Sequence, residues 1–168
     1  RRRSKCGFEQ IRIEMIKTLK KIGFISLISM LLSCSNSDVV FDESVIIPNS
    51  SWDNQELPYF DVNIEDTVSA YNFYLNIRHL ENYRYSNFYM FLHTTFPNGN
   101  QTHDTIELVL AYPDGRWIGD GSGSMRNNQI LLNNNLQFPL KGNYHFEIEQ
   151  AMREPVLNGI TDVGLKFG

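Results

Sequence analysis

The chain has 168 residues, a length typical of one domain. Hydrophobic residues make up 42% and charged residues 20%, so the chain is not of the disordered class. Two cysteines, Cys6 and Cys34, are too few for a disulfide-rich scaffold or a four-cysteine zinc site. Residues 1–33 carry eight basic and two acidic side chains, whereas residues 34–168 carry seven basic and 17 acidic ones. A basic head on an acidic body is typical of an exported protein and not of a nucleic-acid binder, which needs a basic face.

The beginning of the chain has the pattern of an export signal. Residues 1–14 start with Arg and show no hydrophobic periodicity, and we interpret them as a non-native upstream extension, with the natural start at Met15. Three lysines follow, and residues 22–32 then form an apolar run of eleven residues. Because a membrane span needs about 20 apolar residues, the pattern instead predicts a cleaved signal peptide over residues 15–33.

The end of this segment resembles the bacterial lipobox, with Leu31, Ser33 and Cys34 at the matching positions. The resemblance implies a diacylglyceryl group on the Cys34 sulfur, cleavage before Cys34 and acylation of the new amino group. Each buried acyl methylene contributes about 0.8 kcal/mol, so several chains would hold a domain on a membrane without a span. Residues 34–38 would then form a lipidated tether. The alternatives are a short buried helix with a free thiol and a plain secretory peptide cut elsewhere.

The body of the chain repeatedly alternates apolar and polar residues with a period of two, which is the pattern of half-buried β-strands. We interpret the asparagine-rich residues 126–138 as a further strand, and residues 79–86 and 153–159 as loops. The alternating apolar faces are Phe60, Val62 and Ile64; Phe73, Leu75 and Ile77; Phe88, Met90 and Leu92; Ile106, Leu108 and Leu110; Tyr144, Phe146 and Ile148; and Val163, Leu165 and Phe167.

Two turns share the order Pro, then Asn or Asp, then Gly, at residues 97–99 and 113–115. Proline presets φ at the first turn position, and glycine accepts the left-handed site that follows. We therefore predict positive φ at Gly99 and Gly115, with each turn closing a three-residue hairpin loop that has a glycine bulge.

The first turn also sets a register for the strands on either side of it. Counting back from the turn pairs Phe88 with Leu108 and Met90 with Ile106, so the apolar faces of both strands coincide. Residues 88–118 are therefore predicted to form a three-stranded meander. The second turn supplies its last pairs, which are Tyr112 with Arg116 and Leu110 with Ile118.

The number and length of these strands indicate the fold class. Seven or eight short strands with turns between them predict an all-β fold over residues 39–168, an antiparallel β-sandwich of jelly-roll or immunoglobulin-like type. A small barrel is the runner-up. A chain of this size is long enough to bury a stable core without disulfides.

Besides the lipobox, six segments of the body share a combined pattern, and they are residues 41–43, 71–78, 96–99, 113–119, 149–153 and 159–164. Together with the lipobox, these segments resemble the gliding-motility lipoprotein family of Bacteroidetes, the GldH type. The resemblance covers nearly the whole mature chain and implies a lipoprotein of the outer envelope that is needed for surface gliding. It implies no catalytic or ligand-binding residues, so that only the lipid-bearing cysteine transfers, to Cys34.

Few residues suggest a metal or phosphate site. The predicted register places His93 opposite His103, and two facing imidazoles could ligate a metal, but no clear third ligand follows apart from the adjacent Asp104. We therefore expect two solvated strand residues, no metal site and no cofactor. The glycine-rich residues 119–124 superficially resemble a phosphate cradle, yet no lysine follows and Asp120 would repel an anion, so we interpret them as a flexible or bulged strand exit. Their acidic density is too low for a calcium loop.

Enzymatic activity also lacks a signature. Glu147 and Glu149 share one strand face and could act as paired carboxylates, but the solvated face of an amphipathic strand is the simpler interpretation. No Gly-x-Ser-x-Gly elbow is present, and we expect a protein that is not an enzyme. Aromatic rings could stack on sugars or on a protein partner, although core filling is the commoner role. The rings concerned are Trp52, Trp117, Tyr83, Tyr85 and Tyr89.

Two functional hypotheses follow. The first is a non-catalytic interaction module of the gliding or secretion machinery, anchored to the outer membrane through its N-terminal lipid and bound to envelope proteins. The second is a lipid-anchored carbohydrate-binding sandwich. An apolar patch that fits a protein would favour the first, and a concave face with parallel aromatic rings would favour the second.

Overall fold

The structure is a computed structural model, and it describes residues 39–121 and 123–168. Cys6, Cys34 and the predicted signal peptide and tether lie outside the described residues. The described part contains ten strands and one 3-10 turn at Pro48–Ser50. The strands are β1 (Phe41–Ile46), β2 (Ser51–Asp53), β3 (Tyr59–Ile64), β4 (Tyr71–Leu80), β5 (Asn87–Thr95), β6 (Gln101–Val109), β7 (Met125–Leu136), β8 (Gly142–Gln150), β9 (Val156–Asn158) and β10 (Ile160–Phe167).

Eight of the strands form two four-stranded sheets. The first sheet has the order β1-β10-β4-β7 and the second sheet has the order β3-β8-β5-β6, while β2 and β9 form a separate pair. Every pairing is antiparallel. The predicted fold class, an all-β antiparallel sandwich, is therefore confirmed, and the described residues contain no α-helix.

The strand order identifies a jelly roll. β5 pairs with β6, β4 with β7, β3 with β8, β2 with β9 and β1 with β10. The domain is thus one long nested hairpin, and rolling it up adds the pairs β10–β4 and β5–β8. An eight-stranded double sheet built this way is a jelly roll rather than an immunoglobulin-like sandwich.

The core lies between the two sheets and consists of the predicted apolar faces. In β4 the residues with the parity of Phe73 are buried and their neighbours are exposed or half-buried, as alternation requires. Phe167 lies at the centre of a cluster of rings from both sheets, stacked on Phe73 with ring centroids 4.6 Å apart and 5.5 Å from the ring of Phe146. Full burial of each such ring contributes about 1.5–3 kcal/mol.

The two predicted turns are confirmed. Gly99 has φ +83° and Gly115 has φ +87°, both in the left-handed region. The amide of Phe96 donates to the carbonyl of Asn100 at 2.8 Å and the amide of Gly99 donates to the carbonyl of Phe96 at 2.8 Å, which closes the first loop. The predicted register follows, because Phe88 lies opposite Leu108 and Met90 opposite Ile106.

The predicted three-stranded meander over residues 88–118 is wrong in its third strand. The amide of Tyr112 donates to the Arg116 carbonyl, and that of Ile118 to the Leu110 carbonyl, so the expected pairs exist. The only bridge between these short arms is Ala111 with Trp117. The chain then crosses to the first sheet, where residue 120 bridges β7. The open edge of β6 therefore gains no third strand.

Both predicted loops contain strand residues. His79 and Leu80 continue β4, because His79 is buried at the next inward position after Ile77. Residues 153–159 contain β9, which pairs with β2, although three residues are too few to show alternation. The predicted strand in residues 126–138 is confirmed as β7.

Candidate functional site

The exposed face of the second sheet collects three of the four histidines. The register aligns Tyr59, Glu147, His93 and His103 in one row across all four strands. The Nδ1 atoms of His93 and His103 are in contact, and the rings meet edge to face with centroids 4.7 Å apart. The predicted opposition of the two histidines is therefore confirmed.

Carboxylates contact two of these histidines. The Nε2 of His93 lies 2.8 Å from Glu149 Oε2, and the Nδ1 of His145 lies 2.7 Å from Asp61 Oδ1. The hydrogen bond to Asp61 raises the pKa of His145. Among residues 39–121 and 123–168, no three His, Cys, Asp or Glu side chains converge on a point where they could hold a metal ion.

Glu147 and Glu149 share the exposed face, as predicted. Glu149 accepts from His93, and Glu147 Oε1 lies 3.6 Å from the Nε2 of His145. Each carboxylate is thus engaged with an imidazole on the solvated side of the sheet, in agreement with the simpler interpretation of this strand face.

Of the glycine-rich residues 119–124, the described ones lie at the crossing between the two sheets. Asp120 bridges Asn127 in β7, and Gly123 has φ +74°. The Gly123 carbonyl accepts from the guanidinium of Arg126 at 3.2 Å. The described residues of this loop therefore fit a bulged entry into β7, and no helix follows to present its N-terminus to a phosphate.

The five singled-out aromatic residues divide between core and surface. Trp52 and Tyr83 are buried, and Trp52 stacks on Phe88 with centroids 5.6 Å apart. Trp117 packs against the core, as does Tyr85. Tyr89 is exposed, so the five rings do not form one stacking platform.

His79 is a buried titratable group that the sequence analysis placed in a loop. Its Nδ1 lies 2.8 Å from the Leu80 carbonyl, and its ring meets Trp117 edge to face with centroids 4.5 Å apart. Burial lowers the pKa of His79. The side chain is therefore a neutral core histidine, whose Nε2 has no hydrogen-bond partner among the described residues.

A polar groove of about 400 Å³ lies on the exposed face of the first sheet. Gly164 lies between two of the lining residues in the register, Ser44 and Asn76, and a Cβ at Gly164 would overlap Ser44 Oγ and the Glu43 carbonyl oxygen. The side chains above it bind one another, as when Gln129 Nε2 donates to Asn76 Oδ1 at 3.1 Å. The described residues that line this groove include no aromatic ring.

A second groove of about 490 Å³ opens between the edges of the two sheets, and we call it the edge groove. Its walls are β6 and β7, the last strands of their sheets at this side of the sandwich. The lining is mainly apolar, with polar groups at the rim. The apolar members are Phe73, Leu92, Phe96, Ile106, Leu132, Leu136, Phe138, Pro139, Tyr144 and Phe146, and the polar members are Thr94, Thr102, Asp104, Asn133 and Gln137.

Asp104 is the one charged side chain among the described residues that line the edge groove. It lies opposite Leu92 in the register and shares its strand face with the half-buried Ile106 and the buried Leu108. His103 therefore points to the other face of β6, and Asp104 is no third ligand for the histidine pair. Sequence reasoning missed the edge groove because the groove depends on how two distant strands meet.

Comparison with known sequences decides the family. A sequence model described as "GldH lipoprotein" matches residues 39–167, which is nearly the whole described domain. The chain belongs to the GldH lipoprotein family. The resemblance seen in the sequence is thus confirmed.

Two curated relatives agree with this family. The chain is 33% identical over 151 residues to "Gliding motility lipoprotein GldH homolog" of Christiangramia forsetii, a match that covers 86% of this chain and 91% of the relative. It is 31% identical over 156 residues to "Gliding motility lipoprotein GldH" of Flavobacterium johnsoniae, with 89% of this chain and 96% of the relative covered. No solved structure matches the chain.

The family name describes a lipoprotein, which raises the question of membrane-spanning segments. In residues 39–121 and 123–168, no helix has the length and apolarity to cross a bilayer. The predicted anchor of this GldH-family chain, Cys34, precedes the described residues.

Proposed function

We propose that this chain is a lipid-anchored component of the gliding-motility apparatus that acts as a non-catalytic interaction module in the cell envelope. The names of the two curated relatives support the link to gliding. The edge groove carries the proposal for the mode of action, because a mainly apolar cleft between two open strand edges suits a protein partner. The partners are envelope proteins of the gliding or secretion machinery.

The anchor in this proposal is Cys34, and the membrane is the outer membrane. A tether holds the domain at a surface, where a partner bound to the same surface meets it at high effective concentration, so weak contacts suffice. In residues 34–168 the 17 acidic side chains outnumber the seven basic ones, which disfavours adhesion of the body to anionic lipid.

Metabolic labelling tests the anchor. Labelled palmitate should enter the wild-type protein in cells, and the Cys34→Ser variant should take up no label and leave the membrane fraction. A Cys6→Ser variant is the matched control and should behave as the wild type. A labelled, membrane-bound Cys34→Ser protein would show that the anchor lies elsewhere.

Complementation tests the absence of catalysis. A gliding bacterium lacking its own homologue should regain motility with alanine at His93 and His103, at Asp120, or at Glu147 and Glu149. If one of these variants folds, binds the same partners and still fails to restore gliding, a chemical role is indicated and the module proposal fails.

Carbohydrate binding is the second candidate, and the polar groove on the first sheet is the observation that favours it. Side chains of the type of Asn76, Gln129 and Asp42 suit sugar hydroxyls, although no ring is available among the described lining residues for stacking. Binding of envelope polysaccharide that is lost in a Gln129→Ala variant, and kept in an Asp104→Asn variant, would support it.

A further inference from the structure

The open edge of β6 offers main-chain hydrogen bonds to an incoming strand. The Phe96 amide donates to the Asn100 carbonyl, and the Leu110 amide donates to the Ser86 carbonyl at 2.8 Å, so the even-numbered positions of β6 direct their main-chain groups toward β5. Thr105 and the other odd-numbered residues of β6 therefore direct N–H and C=O groups outward. Among the described strands, β6 pairs only with β5.

The groove beside this edge has room for side chains of such a strand. A strand added to β6 would alternate its side chains between the solvated face and the space between the sheets. The inward ones would meet Ile106, Leu132 and Leu136, which are half-buried in the free domain. Apolar residues at every second position of the incoming segment fit this lining.

Asp104 selects among the segments that could pair here. Its carboxylate points into the space that the added side chains would fill, where an apolar strand would strip it of water without a partner. Inward-pointing charges on edge strands protect proteins against indiscriminate pairing. A lysine or arginine in the incoming strand removes this penalty by pairing with the carboxylate.

The β6 edge of a second copy of this chain would not supply the basic side chain that Asp104 requires. Two β6 edges would bring Asp104 of each copy into one cleft, and the exposed Glu107 adds a further negative charge to each edge. Like charges opposed in this way disfavour the pairing. The complementary partner is a different protein with a basic residue in an otherwise apolar inward face.

We propose that the edge groove binds an extended segment of a partner protein by strand addition to β6, with a lysine or arginine of that segment paired to Asp104. This proposal rests on the interaction module described under Proposed function, and it specifies the partner by its chemistry. The determinants of recognition are the outward main-chain groups of β6, the apolar walls and the Asp104 carboxylate.

Two synthetic peptides test the charge requirement. Both alternate threonine and valine over about nine residues, and the central inward valine is replaced by lysine in one and by glutamate in the other. Fluorescence anisotropy with the full-length protein in detergent should show about tenfold tighter binding of the lysine peptide. The Asp104→Lys variant should reverse this preference, and Asp104→Asn should remove most of it. Equal binding of both peptides, or an unchanged preference in Asp104→Lys, overturns the proposal.

A proline substitution tests the strand pairing separately. Thr105→Pro removes an outward N–H without removing a bond to β5, and proline is tolerated on edge strands. Binding of the lysine peptide should fall about tenfold or more in Thr105→Pro and stay within about twofold in the matched Thr105→Val variant. Binding that is unaffected by Thr105→Pro, with circular dichroism and melting as in the wild type, overturns strand addition.

Complementation distinguishes failure of this inference from failure of the proposed function. If the Asp104→Lys variant restores gliding fully, the charge-selective groove is wrong while the module remains. If neither the wild type nor the variant supports gliding in a strain that the strain's own homologue restores, the proposed function fails. Loss of gliding in Asp104→Lys, with a smaller loss in Asp104→Asn, supports both.

Discussion

At one side of the sandwich the edge strands β1 and β3 are in contact, and at the other side the edge strands β6 and β7 line the edge groove. The first pair of edges is closed by Phe41 and Phe60, whose rings meet edge to face with centroids 6.2 Å apart. The second pair leaves a cleft with Asp104 at its rim. The same two-layer architecture therefore makes a packed side, where aromatic rings of the edge strands meet, and an open side, where aliphatic side chains and one carboxylate line a groove.

Removing an aromatic ring from the closed side should have the largest effect on stability. Phe60→Ala is expected to cost about 3–5 kcal/mol, since it leaves a cavity among close-packed rings. The matched change on the open side, Ile106→Ala, should cost only about 1–2 kcal/mol, because Ile106 is half-buried. Urea unfolding of both variants measures the comparison. Equal losses would contradict the distinction between a packed and an open side.

Gly164 offers a second way to disturb the closed side. Gly164→Ala places a methyl group against Ser44 and the Glu43 carbonyl, so β1 must shift from β10, at an expected cost of about 1–3 kcal/mol. Hydrogen exchange should rise in β1 and remain unchanged in β6. Gly99→Ala is the control, because its strain comes from the positive φ of the turn and not from a clash, since a Cβ at Gly99 meets no atom within 4 Å. Its local effect should lie in the turn between β5 and β6 and not in β1.

The turns at Gly99 and Gly115 test the register on which the open side depends. Valine at either position should destabilise the fold by about 1–2 kcal/mol, because a β-branched residue is strained at positive φ. Thermal melting of both single variants measures this effect. Unchanged melting temperatures in both would count against the left-handed turns.

The smallest expected effect concerns Asp61 and His145, which link β3 to β8 on the solvated face. Hydrogen bonding to Asp61 raises the pKa of His145 in the folded protein, so the stability it contributes is present below the unfolded pKa and is lost as pH rises through the folded pKa. Solvent screens the pair, which is worth a few tenths of a kcal/mol. Asp61→Asn should therefore destabilise the protein more at pH 5 than at pH 8 in urea unfolding. A greater loss at pH 8 would reverse the assigned sign.

The sequence predicted those parts of the fold that depend on local alternation and turn chemistry. The pairing of Phe88 with Leu108 followed from one hairpin loop, and the correct apolar faces followed from the period of two. The burial of His79 in β4 was not predicted, because a histidine interrupts an apolar pattern in the sequence. In the structure its Nδ1 is hydrogen-bonded and its ring is buried. The strands β2 and β9 were not predicted, because each has three residues and their pairing joins distant parts of the chain.

The candidate site was harder to predict than the fold. The histidine pair could be located because both members flank one turn, yet its carboxylate partner Glu149 comes from β8, more than 40 residues further along the chain. The edge groove depends on where β6 and β7 lie relative to each other in the folded sandwich, which no periodicity encodes. In the sequence, Asp104 stands out only as the neighbour of His103. The proposed pairing with a basic residue of a partner depends on its place in the edge groove, on the opposite face of β6.

The nested hairpin also constrains the order in which the domain can be completed. The tip pair, β5 with β6, joins residues that are close in sequence, whereas β1 has β10 as its one partner among the described strands, as where Phe41 lies opposite Phe167. Closing that outermost pair costs the most loop entropy, so folding is expected to proceed from the tip outward and to be slow for its size. Of the described strands, the first to be synthesised must wait for the last, and a chain that lacks β10 would lose two of the three strand pairings of the first sheet.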